Sequence, residues 1–387
     1  MRIIQIIPSL DQESSGPTYS VTSLFKYLSK SFSVSLVSCT YSSFSNIKSS
    51  SQYIFKFLPF LKKLSFCPKL FDFLLFESKS YSSLVLHNHG MWQWNALYAS
   101  FIKKKNPSIL LVQSTRGSLS SWAFSSGSFL KPLFWFLFQR KALESVDLFH
   151  ATSHQEYLDI RRYGFHQPVA IIPNGLNLIE KVTLTKSMTS NHKTLLYLGR
   201  LHPIKGLDVL LDSWKLITGV FPDWRLKIVG SDIDYHGCNG FKNTLMQKIL
   251  DESIENVMFS EEVFGSEKFD TFASADLFVL PSRSENFGVT VGESLSVGTP
   301  VITTNNTPWI LDEDNGGWTV NLTVNELKEA LITSMSLDLS TLNHIGQNGR
   351  QYINNNFSWE IISSKMLCMY KYGLDPNSEI PDFFKIN

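Results

Sequence analysis

The chain has 387 residues, of which 43% are hydrophobic and 18% are charged, and its four cysteines lie far apart without a C-x-x-C pair. This composition excludes wholesale disorder and a disulfide scaffold, and the cysteine spacing excludes the usual zinc motifs and indicates reduced, intracellular thiols. No apolar run reaches about 18 residues, and the N-terminus turns polar too early for a signal peptide, so neither a spanning helix nor a leader is expected.

The net charge of +1 hides an asymmetry between two halves of the chain. Residues 1–180 carry 18 Lys and Arg against 9 Asp and Glu, whereas residues 181–387 carry 17 against 25. This split predicts two domains, of which the basic N-terminal one faces an anionic partner.

Short apolar segments rich in β-branched residues recur between longer amphipathic stretches, a pattern that predicts βαβ units with parallel sheets. The first series comprises Ile3–Ile7, Val34–Val37, Leu84–Leu86, Ile109–Val112, Leu148–His150 and Val169–Ile172. The second series comprises Leu195–Leu198, Leu226–Val229, Val257–Phe259, Leu277–Leu280 and Val301–Thr303. We therefore predict an α/β protein with two doubly wound, Rossmann-like domains, over residues 1–180 and 190–356, joined by the polar linker Glu180–His192.

A last helix is predicted near the C-terminus. Ser358 is a suitable N-cap, and Gly373 and Pro376 are suitable stop signals. Between them one apolar stripe recurs with helical spacing at Trp359, Ile362, Met366 and Tyr370.

Two cations flank a loop in the second half. The predicted strand TLLYLG runs into Arg200, then Lys205 and Gly206, and then a helix. Ligands of α/β proteins bind at the carboxyl ends of parallel strands, which is where these cations stand. Because Arg grips phosphate oxygens through two donors and Lys acts as a mobile point charge, the pair predicts a phosphate site. The alternative is a solvated loop with two surface bases.

Two glutamates bracket a second loop. Glu285 lies in the loop, and Glu293 lies on the second turn of the helix that follows. The amide groups at the start of this helix, with its dipole, can hold a diphosphate: those of Phe287, Gly288 and Val289. A glutamate beside a phosphate site would repel the ligand unless it binds a hydroxyl, which argues against the alternative of a capped surface helix with two scattered acids.

These motifs resemble the nucleotide-sugar domain of family-4 retaining glycosyltransferases with the GT-B fold. The resemblance rests on GRLHPIKG, on the two glutamates followed by GTPVIT, and on IPNG at residues 172–175, and it covers most of residues 165–320. It implies two domains that face each other across a cleft, with a C-terminal helix over residues 357–374 that crosses back to the first. It also implies a donor-binding set: Arg200 and Lys205 on the diphosphate, Glu293 on the ribose, and Asn286, Phe287, Gly288 and Val289 along the same loop. Glu285, on the transferred sugar, is predicted to be a catalytic residue.

Two further motifs, NTPWI and GGW, resemble a subgroup common in bacterial surface-polysaccharide synthesis, such as that of O-antigen, capsule or exopolysaccharide. The resemblance implies a nucleotide sugar as donor and a saccharide linked to polyprenyl diphosphate as acceptor, bound by the first domain. Because a lipid-linked acceptor has its diphosphate at the headgroup level, we expect a cytoplasmic enzyme, peripheral on the inner face of the cytoplasmic membrane.

The resemblance of the first half is looser. Gly16 stands where relatives carry two glycines against the donor phosphate, and it is predicted to contact the donor. The motifs HNHGMW and QSTRG follow two strands and offer two candidate catalytic residues, His89 and Arg116. His89 is favoured over His87 because a glycine follows it at the strand end. Glu156 is more readily a helix cap than a substrate contact.

No carboxylate cluster with magnesium-ligand spacing lies near the predicted site, so we expect Lys and Arg to replace a metal in stabilising the leaving diphosphate, and no cofactor. The resemblance implies front-face attack with retention of configuration, in which the leaving phosphate takes the proton of the acceptor. Domain closure would exclude water and limit hydrolysis of the donor.

The segment Tyr53–Phe76 contains eight Phe or Tyr and four Lys. This composition predicts an anchor at an anionic membrane surface, and the alternative is that its aromatic side chains pack into the core. The segment Phe129–Lys141 has similar chemistry and is predicted to be a buried helix with a basic end. No nucleic-acid partner is expected.

Two other functions stay open. One is a hydrolytic epimerase of nucleotide sugars, whose expected acid cluster is not apparent. The other is a non-catalytic sugar-nucleotide-binding protein, which the changes at Gly16 and Arg116 favour and the intact Lys205 and Glu285 oppose. A dehydrogenase is not favoured, since no G-x-G-x-x-G opens either domain.

Overall fold

The computed structural model describes residues 1–10, 16–40, 51–58, 65–125, 131–178, 192–233 and 240–386. The chain divides into two compact units. Unit 1 comprises Met1–Gly175 together with Trp359–Asn387, and unit 2 comprises Leu176–Ser358. Of the predicted linker, only His192 lies among the described residues.

Unit 1 is organised around one sheet. Its described strands are β1 (Arg2–Ser9), β2 (Ser33–Thr40), β3 (Gln52–Lys56), β4 (Leu84–His89), β5 (Leu110–Ser114), β6 (Leu148–Ala151), β7 (Val169–Ile171) and β14 (Phe384–Lys385). Their order across the sheet is β14-β7-β6-β5-β4-β1-β2-β3. Neighbouring strands are parallel apart from the edge strand β14, which is antiparallel to β7.

Helices cover both faces of this sheet. The described ones are α1 (Gly16–Leu28), α2 (Pro68–Ser80), α3 (Trp94–Lys105), α4 (Ser121–Ser125), α5 (Lys131–Phe134), a π-helical stretch (Trp135–Gln139), α6 (Arg140–Glu144), α7 (His154–Arg162) and α14 (Trp359–Leu374). Along β1, Ile4 and Ile6 enter one core while Ile3 and Ile7 enter the other, because successive side chains of a strand point to opposite faces. Burial on both faces explains why the strands read as continuous apolar runs.

The last helix belongs to unit 1, where its apolar stripe is buried. Trp359, Ile362, Met366 and Tyr370 pack with α1 on one face of the sheet. A Cβ on Gly175 would lie 2.4 Å from the Trp359 ring. The glycine that ends the IPNG motif therefore leaves room for this tryptophan.

The segment Tyr53–Phe76 departs from the predicted membrane anchor. Its described residues include β3, which the sequence did not predict, and the start of α2. Phe57, Leu70 and Leu74 are buried in the core of unit 1, whereas Phe76 is 67% exposed. Residues 59–64, with two of the four lysines, lie outside the described residues. For most of the described aromatic side chains the core-packing alternative is therefore the one observed.

The prediction of a buried helix over residues 129–141 is wrong. From Lys131 onward the chain is helical, but Leu133, Phe136 and Leu137 are 56%, 74% and 46% exposed. Trp135, on another side of the same stretch, packs against the core. An apolar composition does not say which stripe of a helix faces inward, and here two stripes are apolar.

Unit 2 is built on a second parallel sheet. Its described strands are β8 (Lys193–Leu198), β9 (Trp224–Val229), β10 (Val257–Ser260), β11 (Leu277–Leu280), β12 (Val301–Thr304) and β13 (Gly317–Val320), in the order β10-β9-β8-β11-β12-β13. Its described helices are a 3₁₀ turn (Pro203–Lys205), α8 (Leu207–Lys215), α9 (Phe241–Asp251), α10 (Gly265–Ser274), α11 (Val289–Ser296), α12 (Val324–Met335) and α13 (Leu339–Phe357). The predicted α/β class and the two parallel-sheet units are confirmed. No helix in the described parts of the chain is long and apolar enough to cross a bilayer.

Candidate active site

The first loop of the candidate site in unit 2 follows β8 and turns sharply. Gly206 has a φ of +69°, and a Cβ at this position would lie 2.0 Å from the carbonyl oxygen of Pro281. Only glycine tolerates this left-handed backbone and close approach. The preceding 3₁₀ turn is capped by His202, which accepts a hydrogen bond from the Ile204 amide at 3.1 Å. The turn therefore places Lys205 next to the end of β11.

Arg283 fastens this turn to the loop after β11. Its guanidinium donates to both oxygens of Asp208 at 2.8 and 2.7 Å and to the Pro203 carbonyl at 2.8 Å. Burial acts to raise the pKa of Asp208, but the hydrogen bonds from Arg283 lower it overall. Sequence analysis missed this fork, although a basic residue beside Glu285 was a visible signal. The fork sets the spacing between the two loops that carry Lys205 and Glu285.

Lys205 and Glu285, which are 80 residues apart in sequence, form an ion pair between these loops. The two side chains are only 14% and 13% exposed. The hydroxyl of Ser282 donates to the same Glu285 oxygen at 2.9 Å. The structure thus brings together two predicted donor contacts of opposite charge.

Arg200 lies at the start of the β8 loop with an exposed side chain. Its carbonyl accepts a hydrogen bond from the Tyr197 hydroxyl at 2.7 Å. Burial, with a smaller contribution from the charge of Glu285, raises the pKa of Tyr197, while Arg200 opposes the shift. The phenol therefore stays neutral beneath both loops.

The start of α11 is held by Trp309 of the NTPWI motif. The Trp309 indole donates to the Phe287 carbonyl at 2.5 Å and to the Gly288 carbonyl at 3.2 Å. Gly288 has a φ of +70°, and a Cβ there would meet the indole at 3.3 Å. Asn286 and Val289 flank this turn and are partly buried. Trp309 therefore fixes the backbone amides predicted to bind phosphate.

Glu293 is almost fully buried on α11, with 3% of its surface exposed. Its Oε1 accepts from Lys268 Nζ at 2.5 Å, while Oε2 is buried without a hydrogen-bond partner among the described residues. Burial raises the pKa of Glu293, and the charge of Lys268 opposes this. Sequence analysis missed Lys268, which stands on α10 in no recognisable motif. A buried acceptor without a donor is costly, so Oε2 suits a ligand hydroxyl.

In unit 1 the ends of two neighbouring strands bring His89 and Arg116 together. Arg116 follows β5 with a φ of +54°, and its guanidinium donates to His89 Nδ1 at 3.0 Å and to Asn174 Oδ1 at 2.7 Å. His89 Nε2 contacts Gln5 Oε1 at 2.5 Å. His89 is only 1% exposed, whereas Arg116 is partly exposed. Of these two predicted catalytic residues, Arg116 is therefore the one whose side chain is exposed enough to contact a ligand.

Glu156 holds the turn on which Arg116 stands. One carboxylate oxygen accepts from the Thr115 hydroxyl and the Gly117 amide at 2.5 and 2.8 Å. The other accepts from the amide and hydroxyl of Thr152 at 2.7 and 2.8 Å. Four donors satisfy this buried carboxylate, which agrees with the prediction that Glu156 has a structural role.

Gly16 begins α1, and residues 11–15 before it lie outside the described part of the chain. Within the described ranges no group of three His, Cys, Asp or Glu side chains is arranged to hold a metal ion. A metal-independent reaction stays a prediction.

Two family models match the chain, one in each unit. The model described as "Glycosyl transferase 4-like domain" matches residues 53–175, and the model described as "Glycosyl transferases group 1" matches residues 192–336.

Similar curated proteins are also glycosyltransferases or sugar-phosphate synthases by name. Mannosylfructose-phosphate synthase from Agrobacterium fabrum is 36% identical over 115 residues, which are 29% of this chain and 25% of that protein. The GDP-mannose-dependent monoacylated alpha-(1-6)-phosphatidylinositol monomannoside mannosyltransferase from Corynebacterium glutamicum is 25% identical over 291 residues, 70% of this chain and 72% of that protein. The chain spans less than half the length of several curated relatives.

Among solved structures, HepE from Anabaena in complex with UDP and glucose is similar over 96% of this chain and 99% of its own, with a TM-score of 0.74 and 18% sequence identity. This likeness over nearly the whole chain shows the fold, and the two family models agree with it. The chain therefore has the GT-B fold, and each of its two units matches a glycosyltransferase family model.

Proposed function

We propose that the protein transfers a sugar, with retention of configuration, from a nucleoside-diphosphate sugar to a saccharide linked to polyprenyl diphosphate, in the synthesis of a surface polysaccharide. The observation that carries the donor half is the ion pair of Lys205 and Glu285 beside the start of α11. A sugar diphosphate joins an anionic group directly to a polyhydroxylated ring. It therefore needs a cation and a hydroxyl-binding carboxylate at neighbouring points, as this pair supplies.

In the proposed reaction Lys205 and Arg200 neutralise the charge that grows on the leaving diphosphate. The bond between the sugar C1 and the phosphate oxygen breaks, and its electron pair stays on that oxygen. The acceptor hydroxyl attacks C1 from the same face and gives its proton to the departing phosphate. Preorganised cations and helix amides are an effective means of stabilising such charge, and the reaction proposed here needs no metal.

Glu293 is assigned to the ribose of the donor. Its unsatisfied Oε2 is a buried acceptor, and a vicinal diol offers donors that match it. Lys268 keeps the other oxygen paired, which favours the charged carboxylate in an otherwise dry position. The nucleotides of similar proteins, UDP in HepE and GDP-mannose in the mannosyltransferase, support a nucleotide sugar as donor.

A lipid-linked acceptor places its diphosphate at the headgroup level, so the proposal includes docking on the anionic inner face of the cytoplasmic membrane. The docking element follows from the exposed stripe of the helix over residues 131–144. Leu133 is followed at helical spacing by Phe136 and Leu137, and one turn later by the exposed Arg140 and Lys141. Inserted apolar side chains next to lysine and arginine fit an interface of anionic lipids.

Vesicle sedimentation tests this docking element. We expect the Phe136→Glu/Leu137→Glu variant to lose most of its binding to vesicles that contain phosphatidylglycerol. A matched control, Ile310→Glu, changes an exposed apolar side chain of unit 2 and should bind as wild type does. Equal binding of all three proteins, or release of the control alone, would rule out the stripe as the membrane contact.

The reaction itself is tested by incubating the protein with labelled nucleotide sugars, UDP-glucose and GDP-mannose among them, and extracted polyprenyl-diphosphate saccharides. Label transferred to the lipid fraction is the expected result. Label found only in an isomerised free sugar would indicate an epimerase, and binding without turnover would indicate a non-catalytic sugar-nucleotide protein.

A further inference from the structure

A chain of hydrogen bonds runs through the buried centre of unit 1, behind Arg116. It crosses the strands β1, β4, β5 and β6 and includes one side chain of α14. In order, the contacts are Arg116 Nη2 to His89 Nδ1 (3.0 Å), His89 Nε2 to Gln5 Oε1 (2.5 Å), Gln5 Nε2 to Tyr370 Oη (2.8 Å), Tyr370 Oη to His87 Nδ1 (2.7 Å), His87 Nε2 to Ser114 Oγ (2.7 Å), Ser114 Oγ to His150 Nδ1 (2.6 Å) and His150 Nε2 to the Ile172 carbonyl (2.8 Å). Apart from Arg116, the side chains that form this chain of hydrogen bonds are almost inaccessible to solvent.

The contact of Arg116 with His89 fixes the direction of the next two hydrogen bonds. A guanidinium only donates, so His89 Nδ1 must accept, and the ring proton of His89 is on Nε2. That proton goes to the Gln5 oxygen, and the Gln5 amide nitrogen then donates to the Tyr370 oxygen.

Tyr370 has one hydroxyl proton, and when that proton goes to His87 Nδ1 each remaining contact also receives one proton. His87 must carry its proton on Nε2 and donates to Ser114. By the same step Ser114 donates to His150 Nδ1, and His150 Nε2–H donates to the carbonyl of Ile172.

The contact at the other end, between His150 and Ile172, independently requires the same tautomer of His150. The Ile172 carbonyl only accepts, so His150 Nε2 must be protonated, which is the state required from the Arg116 end. When all three rings are neutral, only one arrangement gives each of the seven contacts one proton.

We propose that this chain fixes His87, His89 and His150 as neutral Nε2–H tautomers, and that His89 is thereby a positioning residue, which aims the Arg116 guanidinium through Nδ1. The assignment of tautomers stands on the contacts alone. The positioning role rests on the proposed function, in which Arg116 meets the substrate.

The surroundings of the three rings favour this arrangement. Burial lowers the pKa of His87, of His89 and of His150, the last to about 3, and Arg116 adds to each shift. Burial also lowers the pKa of Arg116 to about 10, so the guanidinium remains protonated near neutrality. An extra proton on His89 Nδ1 would put two donors face to face.

The tautomers can be measured without any substrate. Nitrogen NMR of the full chain labelled in its histidines, with His87→Gln, His89→Gln and His150→Gln used for assignment, reports which ring nitrogen carries the proton. We expect all three rings as neutral Nε2–H tautomers at pH 7. An imidazolium or an Nδ1–H tautomer at His89 would overturn the proposal. The tautomers are read from the spectrum of the unmodified protein, and each variant serves only to assign one signal, so the result does not depend on detecting sugar transfer.

The positioning role is tested by two substitutions that each keep one half of the imidazole. In His89→Asn the amide oxygen takes the place of Nδ1 and can still accept from Arg116. In His89→Gln the amide nitrogen takes the place of Nε2 and still reaches Gln5, but the acceptor for Arg116 is lost. Since a hydrogen bond to a charged group is lost, we expect kcat to fall about tenfold or more in His89→Gln and at most about threefold in His89→Asn.

A double variant separates positioning from simple damage to the fold. Adding His89→Gln to Arg116→Lys should cause little further loss of kcat, because the guanidinium that His89 aims is already absent. Equal losses in the Asn and Gln variants, or full additivity with Arg116→Lys, would show that His89 only stabilises the fold.

Discussion

The two units hold their candidate functional side chains by opposite electrostatic means. In unit 1 the Arg116 guanidinium ends a buried chain of neutral groups, and Asn174 holds its other nitrogen. In unit 2 Lys205 and Lys268 each form an ion pair with a glutamate of the candidate site.

This difference indicates which role each unit is suited to. A neutral chain with one proton arrangement holds a side chain in one place, because any change of direction breaks several bonds. In the proposed reaction the ion pair exchanges partners, with the diphosphate of the donor replacing Glu285 at Lys205 and a neutral sugar hydroxyl replacing Lys205 at Glu285. Unit 1 therefore positions a fixed cation, and unit 2 presents charges that a donor can take over.

The largest expected effect comes from breaking the pair in unit 2. Lys205→Ala removes the cation and leaves Glu285 facing the diphosphate, so kcat/KM for the donor should fall about 100-fold. Lys215→Ala removes a lysine of a surface ion pair in the same unit and should leave kcat/KM nearly unchanged. A folded Lys205→Ala protein with a loss below about threefold would contradict the assignment of this lysine.

The two glutamates of unit 2 should separate in a binding experiment. Glu293→Gln is expected to weaken binding of the free nucleoside diphosphate about tenfold, because it alters the assigned ribose contact. Glu285→Gln should preserve that binding, since it removes a negative charge beside the phosphate, and should damage sugar transfer instead. Calorimetry with the opposite order of affinities would reverse the two roles.

The neutral histidines of unit 1 predict an acid-sensitive stability. Their pKa values are lowered in the folded state, so the unfolded chain binds more protons below about pH 6.5. Stability that is present above pH 6.5 is thus lost as the pH falls toward the folded pKa values, by about 1.4 kcal/mol per pH unit for each histidine. Urea unfolding between pH 7 and 5 should show a shallower loss in His150→Gln than in wild type. His344→Gln, at an exposed position, should keep the wild-type slope.

The smallest expected effect concerns metal. Because the proposed reaction uses Lys205 and Arg200 for charge stabilisation, EDTA should change the transfer rate by less than about twofold. Full loss of transfer in EDTA, with recovery on addition of magnesium or manganese, would mean that the cations of unit 2 do not suffice.

The sequence predicted the strands that are buried on both faces, since a continuous apolar run has little other explanation. It missed β3, a short strand at the sheet edge with charged and polar ends, where apolar periodicity is weak. The predicted burial of Phe136 was wrong, because the residue type alone does not show whether a side chain points toward the core or toward solvent.

In the candidate site, too, some features could be predicted from the sequence and others could not. Lys205 and Glu285 were each identified from a motif, but their pairing across 80 residues depends on the adjacency of β8 and β11. Lys268 belongs to no motif, and its place in the candidate site depends on the packing of α10 against α11. The return of the last helix to the first domain was expected from the family resemblance, but the contact of Tyr370 with His87 depends on the packing of that helix on the sheet, which no local pattern encodes.

The return of α14 to unit 1 also sets an order of events during synthesis. Unit 2 is one continuous stretch and is complete once residue 358 has emerged from the ribosome, whereas residues 1–175 are made first but wait for the last 29 residues. Until then one face of their sheet lacks Trp359 and Ile362, and the polar chain lacks Tyr370. At a synthesis rate of about 5–20 residues per second, roughly ten seconds or more separate the end of the first segment from that helix. The nascent N-terminal half thus spends this interval with an uncovered apolar face, and exposed apolar surface of this kind is prone to aggregation.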